Sequence, residues 1–298
     1  MQRLLPTLLI LLLLAPAAAA GQRDKLVIGV DALARQLRDP RLVILQVGDK
    51  TGYDAGHIPG SRLVSLADFA APPTGPDALI LEMPTPDALR ARLIALGVSD
   101  DSRIVVVPTR EGIQSATRVL FTLDAAGLGK QTRLLDGGRI AWIAAGREVT
   151  QARPLIAAGA LSPLTFRPLV VDAAYVRSRL NAPGYAIVDA RAPDFYSGAR
   201  TGGMAAKPHK AGHIAGARSV PFMSVTTSEM KLESPAEIAA RFKAAGVKRG
   251  DTVIAYCHAG QQATATLFAA RTLGLKTLLY DGSFEEWSRL DAPVEPAK

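Results

Sequence analysis

Thr252-Val-Ile-Ala-Tyr-Cys-His-Ala-Gly-Gln-Gln262 is an apolar run, a short loop and the opening of a further apolar stretch, Ala263 to Leu273. Its first five residues read as a buried strand that stops at Cys257. Gly260 permits a curled loop, and Leu267, Phe268 and Ala270 fall at buried positions of the helix beyond it. Strand, tight loop and helix place Cys257 at the carboxyl edge of a strand, facing a helix N-terminus, where α/β sheets hold ligands. Free backbone N–H groups and the helix dipole are expected there to lower the pKa of a thiol and to stabilise sulfur anions. A thiolate can take a sulfane sulfur, and the resulting persulfide is again an anion that the same N–H groups can hold. A small buried hydrophobe at a strand end fits these residues too, and the loop alone leaves both readings open.

Working outward, Ala186 to Val188 reads as a second buried strand. Ser234-Pro-Ala-Glu237 is a capping box with proline at the first helical position, opening a helix that runs to about Ala245 and stops at Gly246. The first half repeats the pattern: Thr85-Pro86, a helix to about Leu96, Gly97, then a strand from Ile104 to Val107. The repetition extends to motifs. Tyr53-Asp-Ala-Gly-His57-Ile-Pro-Gly60 resembles His209-Lys-Ala-Gly-His213-Ile-Ala-Gly216. Gly112-Ile-Gln-Ser-Ala116 resembles Gly260-Gln-Gln-Ala-Thr264, and Leu135-Asp-Gly-Gly before Trp142 resembles Tyr280-Asp-Gly-Ser before Trp287. Three matches in the same order indicate a duplicated α/β domain. Each copy is expected to be a mostly parallel sheet flanked by helices, over residues 24–149 and 169–293, with a linker rich in Ala, Gly and Pro at 150–168.

Residues 1–20 stand apart. Met1, Gln2 and Arg3, the apolar run Leu4 to Ala15, and Ala18-x-Ala20 before Gly21 have the form of a cleaved signal peptide. The apolar run is short for a membrane span. A periplasmic or secreted location is expected, without stable membrane insertion after cleavage. The 298 residues contain one cysteine, so no intramolecular disulfide can form, and a solitary thiol in an exported chain is a candidate reactive group. The formal charge of +8 comes from scattered Lys and Arg with no basic helix interleaved with aromatics. This argues against a nucleic-acid partner and for attraction of small anions.

The second half resembles the catalytic domain of the rhodanese family. It carries Asp189-Ala-Arg191, the Gly-His-Ile-x-Gly-Ala element at Gly212 to Ala217, Cys-x-x-Gly at Cys257 to Gly260, and Tyr-Asp-Gly-Ser-x-x-x-Trp at Tyr280 to Trp287. The first half resembles the non-catalytic domain of that family, and together the two cover roughly Leu26 to Pro293. Aligning Gly112 with Gly260 sets Thr109 opposite Cys257, Gln46 opposite Asp189 and Gly48 opposite Arg191, so the first half is expected to be silent and to wall the cleft.

The resemblance implies a sulfurtransferase that works by double displacement through a persulfide on Cys257, with no dissociable cofactor and no metal. The implied donor is thiosulfate and the implied acceptor cyanide or a thiol. A 3-mercaptopyruvate donor is the alternative, because the loop His258-Ala259-Gly260-Gln261-Gln262 matches neither substrate pattern of the family. A non-enzymatic persulfide carrier also fits. A Cys-based phosphatase does not, since Ala263 stands where its phosphate-clamping arginine belongs. The implied donor contacts are Arg191 and the loop residues His258, Ala259, Gly260, Gln261 and Gln262. Asp189 is expected to support the loop by accepting its N–H groups. Arg200, with Lys207 and Lys210 in the long segment from Ala192 to Lys210, is expected to form an anion-gathering rim. His57 and His213 are expected to be structural, and Trp142 and Trp287 to be core anchors.

Overall fold

The computed structural model describes residues 15–110, 112–204 and 207–296. In the first half, in chain order, lie helix α1 (Ala15–Leu26), strand β1 (Val27–Ile28), α2 (Val30–Ala34), β2 (Leu42–Val47), α3 (Lys50–Asp54), β3 (Ser61–Val64), α4 (Pro86–Ala95), β4 (Arg103–Val107), α5 (Ile113–Ala125), β5 (Thr132–Leu135) and α6 (Gly138–Ala144). The second half begins with β6 (Val170–Val171), α7 (Ala173–Ser178), β7 (Tyr185–Asp189), α8 (Pro193–Ser197), β8 (Gly203–Met204), β9 (Lys207–Pro208), β10 (His213–Ile214) and β11 (Arg218–Ser219). It ends with α9 (Pro235–Ala244), β12 (Thr252–Tyr256), α10 (Gln262–Thr272), β13 (Lys276–Tyr280), α11 (Ser283–Trp287) and β14 (Val294–Glu295).

Two five-stranded parallel sheets form, ordered β1-β5-β4-β2-β3 and β6-β13-β12-β7-β11. The two orders are the same when each sheet is read from its short first strand, so the duplication seen in the motifs is a duplication of topology. Strands covered by helices on both faces carry continuous apolar runs, as in Leu42 to Leu45 and Val253 to Tyr256. The caps also form as the sequence implies. Ser234 and Glu237 bond reciprocally at the start of α9, and Thr85 caps α4 through the Ala88 N–H.

The halves share a core. Leu232, Ala265 and Phe268 pack into the apolar cluster of the first sheet, while Phe121 and Ala125 pack into that of the second. Helices α5 and α10 therefore lie face to face between the sheets, with the Thr117 and Thr264 hydroxyls 3.0 Å apart. Trp142 and Trp287 are fully buried, as expected of core anchors. Residues 151–167 hold no helix or strand but are strapped to the first half. The Gly159 N–H bonds to the Ile94 carbonyl at 2.8 Å, Leu161 is buried, and Ser162 bonds to Asp100.

Residues 1–14, most of the expected signal peptide, lie outside the described residues. Helix α1 runs through the expected cleavage point between Ala20 and Gly21. Beyond that point Arg23 ties it to both halves, donating to Glu233 O at 2.6 Å and pairing with Asp136 at 3.2 Å. No helix among the described residues is long and apolar enough to cross a membrane.

Candidate active site

Cys257 follows β12 directly and precedes α10, at the carboxyl edge of the second sheet. Its side chain is 1% exposed. Burial pushes the thiol pKa up, while the backbone N–H groups of Ala263, Ala259 and Gln262 pull it down. The expected lowering is thus corrected: the N–H cradle is present, but in the closed site desolvation of the charged form outweighs it. The cradle becomes most valuable once sulfur carries a full negative charge.

The loop is braced from behind by the turn between β13 and α11. The Ser283 hydroxyl accepts the N–H groups of Cys257 at 3.2 Å and Gly260 at 2.9 Å, and donates to the Tyr280 carbonyl at 2.8 Å. Ser283 holds φ at +52°, a region that side chains rarely adopt, and Gly138 at the matching point of the first half holds +54°. Gly260 is required by its own φ of +76°, and an added Cβ would lie 2.5 Å from an Asp281 carboxylate oxygen.

That carboxylate belongs to a buried ion pair with Arg118, which comes from α5 of the first half. Arg118 also donates to the Gly260 carbonyl at 3.2 Å, and Asp281 accepts the Met83 N–H at 3.1 Å. The silent half thereby reaches under the active loop. Gln261 adds a second tie, donating to the Ser115 hydroxyl at 2.9 Å. Gln262 opens α10, and its side-chain oxygen is buried without a partner.

Two expected roles change. Asp189 does not accept loop N–H groups. Its carboxylate takes the Arg191 N–H at 2.9 Å, the Arg191 Nη2 at 2.6 Å and the Tyr256 hydroxyl at 2.7 Å. The acceptor for the loop is Ser283, because the Asp189 carboxylate lies one strand away and is saturated by its own neighbours. Arg191 is buried, with Nε and Nη2 spent on Asp189, Nη2 also on the Gly212 carbonyl at 2.7 Å, and its guanidinium 3.9 Å from the Phe284 ring centroid. Its geometry is that of a buried ion pair, and the Asp189 carboxylate of that pair adds to the upward push on the Cys257 thiol.

Phe195, Gly202 and His209, from the stretch after β7, lie against His258. The His258 ring meets Phe195 edge-on at 4.5 Å and stacks near His209 at 5.6 Å. A Cβ on Gly202 would lie 2.8 Å from the His258 ring, so only glycine passes there. Glu285 holds His209 from below. Burial foremost, then the Arg191 charge and His209, lowers the His258 pKa to about 4, so the ring is neutral near neutral pH. The expected anion-gathering rim is not what the described cations form. Arg200 pairs with Asp194 at 2.8 Å and covers Phe195, and Lys210 donates to the Leu290 carbonyl at 2.7 Å.

His57 and His213 are structural. Each stacks on the tyrosine before it at 3.7 Å, Tyr53 and Tyr196, and bonds to the carbonyl of that residue at 2.9 Å.

Strand registers decide what the silent half has lost. Gln46 pairs with Val107 and Asp189 with Tyr256, so Gln46 does match Asp189, but the residue after β4 that matches Cys257 is Pro108. The same shift appears in the braces: Arg139 N–H donates to the Pro108 carbonyl as Phe284 N–H donates to the Cys257 carbonyl. Aligning on glycine displaced the match by one residue, because the loops place their left-handed glycine at different points. Proline offers neither a thiol nor an N–H.

Ser283, Asp281, Arg118, Phe195, His209 and Glu285 were not singled out as site residues by sequence. A signal existed for Ser283 alone, since Ser stands in the second half where the first has Gly138.

The model of the rhodanese-like domain matches residues 29–145 and again 172–290. A probable 3-mercaptopyruvate sulfurtransferase of Pseudomonas aeruginosa is 32% identical, covering 86% of this chain and 92% of the relative. A thiosulfate sulfurtransferase of Azotobacter vinelandii is 30% identical, covering 91% and 97%. The solved structure of YnjE superposes with a TM-score of 0.81 at 24% identity, covering 93% of this chain and 69% of that one. Two matching domains around one cysteine loop make the chain a tandem-domain member of the rhodanese family.

Proposed function

We propose that the protein is a sulfurtransferase that moves the outer sulfur of thiosulfate to cyanide or a thiol through a persulfide on Cys257. The observation that carries this reading is the ring of N–H groups from Ala263, Ala259 and Gln262 around a solitary thiol. In the first displacement the Cys257 thiolate attacks the outer sulfur of thiosulfate. The S–S bond of the donor breaks and sulfite leaves with the electron pair. The product, Cys257–S–S⁻, keeps the negative charge inside the N–H cradle, so no buried charge is left unsolvated. In the second displacement cyanide or a thiolate takes the terminal sulfur and restores the Cys257 thiolate. The neutral His258, with Phe195, Gly202 and His209 against it, keeps water from the persulfide.

A 3-mercaptopyruvate donor is the second reading, favoured by the name of the Pseudomonas relative. A panel of both donors with the mature protein separates the two, and kcat/KM should be larger for thiosulfate. Mixing thiosulfate with the wild type should add about 32 Da, one sulfur atom, to the intact mass. Cys257→Ser should add nothing and turn over neither donor. Turnover by the Ser variant sinks the mechanism, and turnover of 3-mercaptopyruvate alone sinks the donor assignment.

We propose further that residues 1–20 are removed and the protein works outside the cytoplasm, supported by the signal-peptide form of that stretch. N-terminal sequencing of protein from a periplasmic fraction should begin at Gly21, and recovery of a chain beginning at Met1 from the cytoplasm overturns this.

A further inference from the structure

The silent half contains a cavity of about 80 Å³ at the carboxyl ends of β2 and β4, lined by Gln46, Gly48, Asp49, Thr109, Arg110 and Arg139 among others. Matching registers place it where the catalytic half holds its Asp189–Arg191 pair: Gln46 stands for Asp189 and Gly48, two residues on, for Arg191. The Thr109 side chain takes part of the room that an arginine at position 48 would need, its Oγ1 2.8 Å from where a Cβ on Gly48 would lie, and the cavity is the space beyond it. Two observations give the space chemistry. Gln46 is 1% exposed, and its side-chain oxygen has no hydrogen-bond partner. Arg139 occupies the place that Phe284 takes in the other half, as the shared brace to Pro108 and Cys257 demonstrates.

Arg139 is anchored by its Nε, which donates to the Gly56 carbonyl at 2.6 Å. Burial of Arg139 and the charge of the exposed Arg110 both lower its pKa. Among the described residues Asp49 is the acid on this lining, and its carboxylate caps α3 by accepting the Gly52 N–H at 2.7 Å. Thr109 spends its hydroxyl on the Val47 carbonyl at 2.7 Å. The described lining thus offers two guanidinium groups and one underused amide to whatever enters. The volume is well below the roughly 300–1,000 Å³ of a pocket for a drug-sized ligand.

We propose that this cavity binds a small oxyanion, of the size and charge of sulfite, sulfate or phosphate. Arg139 and Arg110 supply the charge, and a planar guanidinium presents parallel donors to two oxygens of one ion. The Gln46 amide turns its NH₂ toward the ion by a half-turn about its last torsion, which exchanges it with the carbonyl oxygen. The site is independent of sulfur transfer and would exist in a protein with no Cys257 chemistry.

The test is titration calorimetry on the Cys257→Ser protein with sodium sulfite, sodium sulfate and sodium phosphate in separate runs. One ion of this class should bind per chain. Its affinity should fall about ten- to a hundredfold in Arg139→Met, and at least about tenfold in Arg110→Ala, as expected for loss of a charge-assisted contact. Melting temperatures of the variants verify folding, and the exposed Arg110→Ala keeps the test alive if Arg139→Met does not fold. Absence of heat with all three salts, or binding that neither substitution weakens, overturns the proposal. Which salts bind distinguishes sulfur from phosphorus oxyanions.

Discussion

Arg191 and His258 take their roles from burial. The resemblance implies that Arg191 holds the anionic donor, and the structure buries it in a pair with Asp189. Removing one member of a buried pair strands the other charge, at a cost of about 3–5 kcal/mol. Arg191→Ala is therefore expected to lose several degrees of melting temperature as well as activity, and Arg191→Lys to recover little of the stability because it cannot reproduce the fork on Asp189. A melting curve equal to that of the wild type contradicts this. His258 supplies a pH dependence. Its folded pKa of about 4 lies below the ordinary imidazole value near 6.5, so the unfolded chain binds the extra proton first. Stability is then complete above about pH 6.5 and declines as the pH falls toward 4. His258→Gln should flatten that acid limb in melting temperatures measured from pH 7 to 4, and an unaltered limb assigns the decline to other groups.

At the scale of the element, the active loop is held by a turn rather than by its own strand. Ser283 accepts two loop N–H groups from a left-handed backbone position, so the brace carries conformational strain that glycine in the silent half avoids. Ser283→Ala leaves two buried donors without an acceptor, each costing about 1–3 kcal/mol before any relaxation. The expected result is a lower melting temperature together with a kcat reduced about tenfold or more at nearly constant KM, since the brace shapes the persulfide cradle. Ser283→Gly should relieve the backbone while leaving the same orphans, and so should keep more stability than Ser283→Ala without regaining kcat. Equal kcat in all three proteins refutes the bracing role.

On the scale of the whole molecule, the silent half gains a purpose from Arg118. This residue crosses from α5 to the Asp281 carboxylate and the Gly260 carbonyl beneath the active loop. Arg118→Met should cost about 3–5 kcal/mol by leaving Asp281 buried and unpaired, and should lower kcat/KM although the residue lies in the domain without a cysteine. The paired change Arg118→Met with Asp281→Asn should recover stability beyond either single substitution. If the double variant is no more stable than the singles, the pair does not couple the halves.

Local rules were enough for much of this protein. The strand ending at Tyr256, the capping box at Ser234, the left-handed glycines and the repeated motifs each depend on neighbours a few residues away, and from them the duplicated α/β architecture and the solitary Cys257 could be read. What tertiary structure alone decided depends on groups far apart in the chain. Examples are the match of Pro108 to Cys257, the acceptor role of Ser283, the withdrawal of Arg191 into an ion pair and the reach of Arg118. The ladders between strands and the packing of α5 on α10 settle those partners, and neither periodicity nor motif spacing carries that geometry. The thiol pKa belongs with them, because desolvation is set by how completely the rest of the fold closes over Cys257.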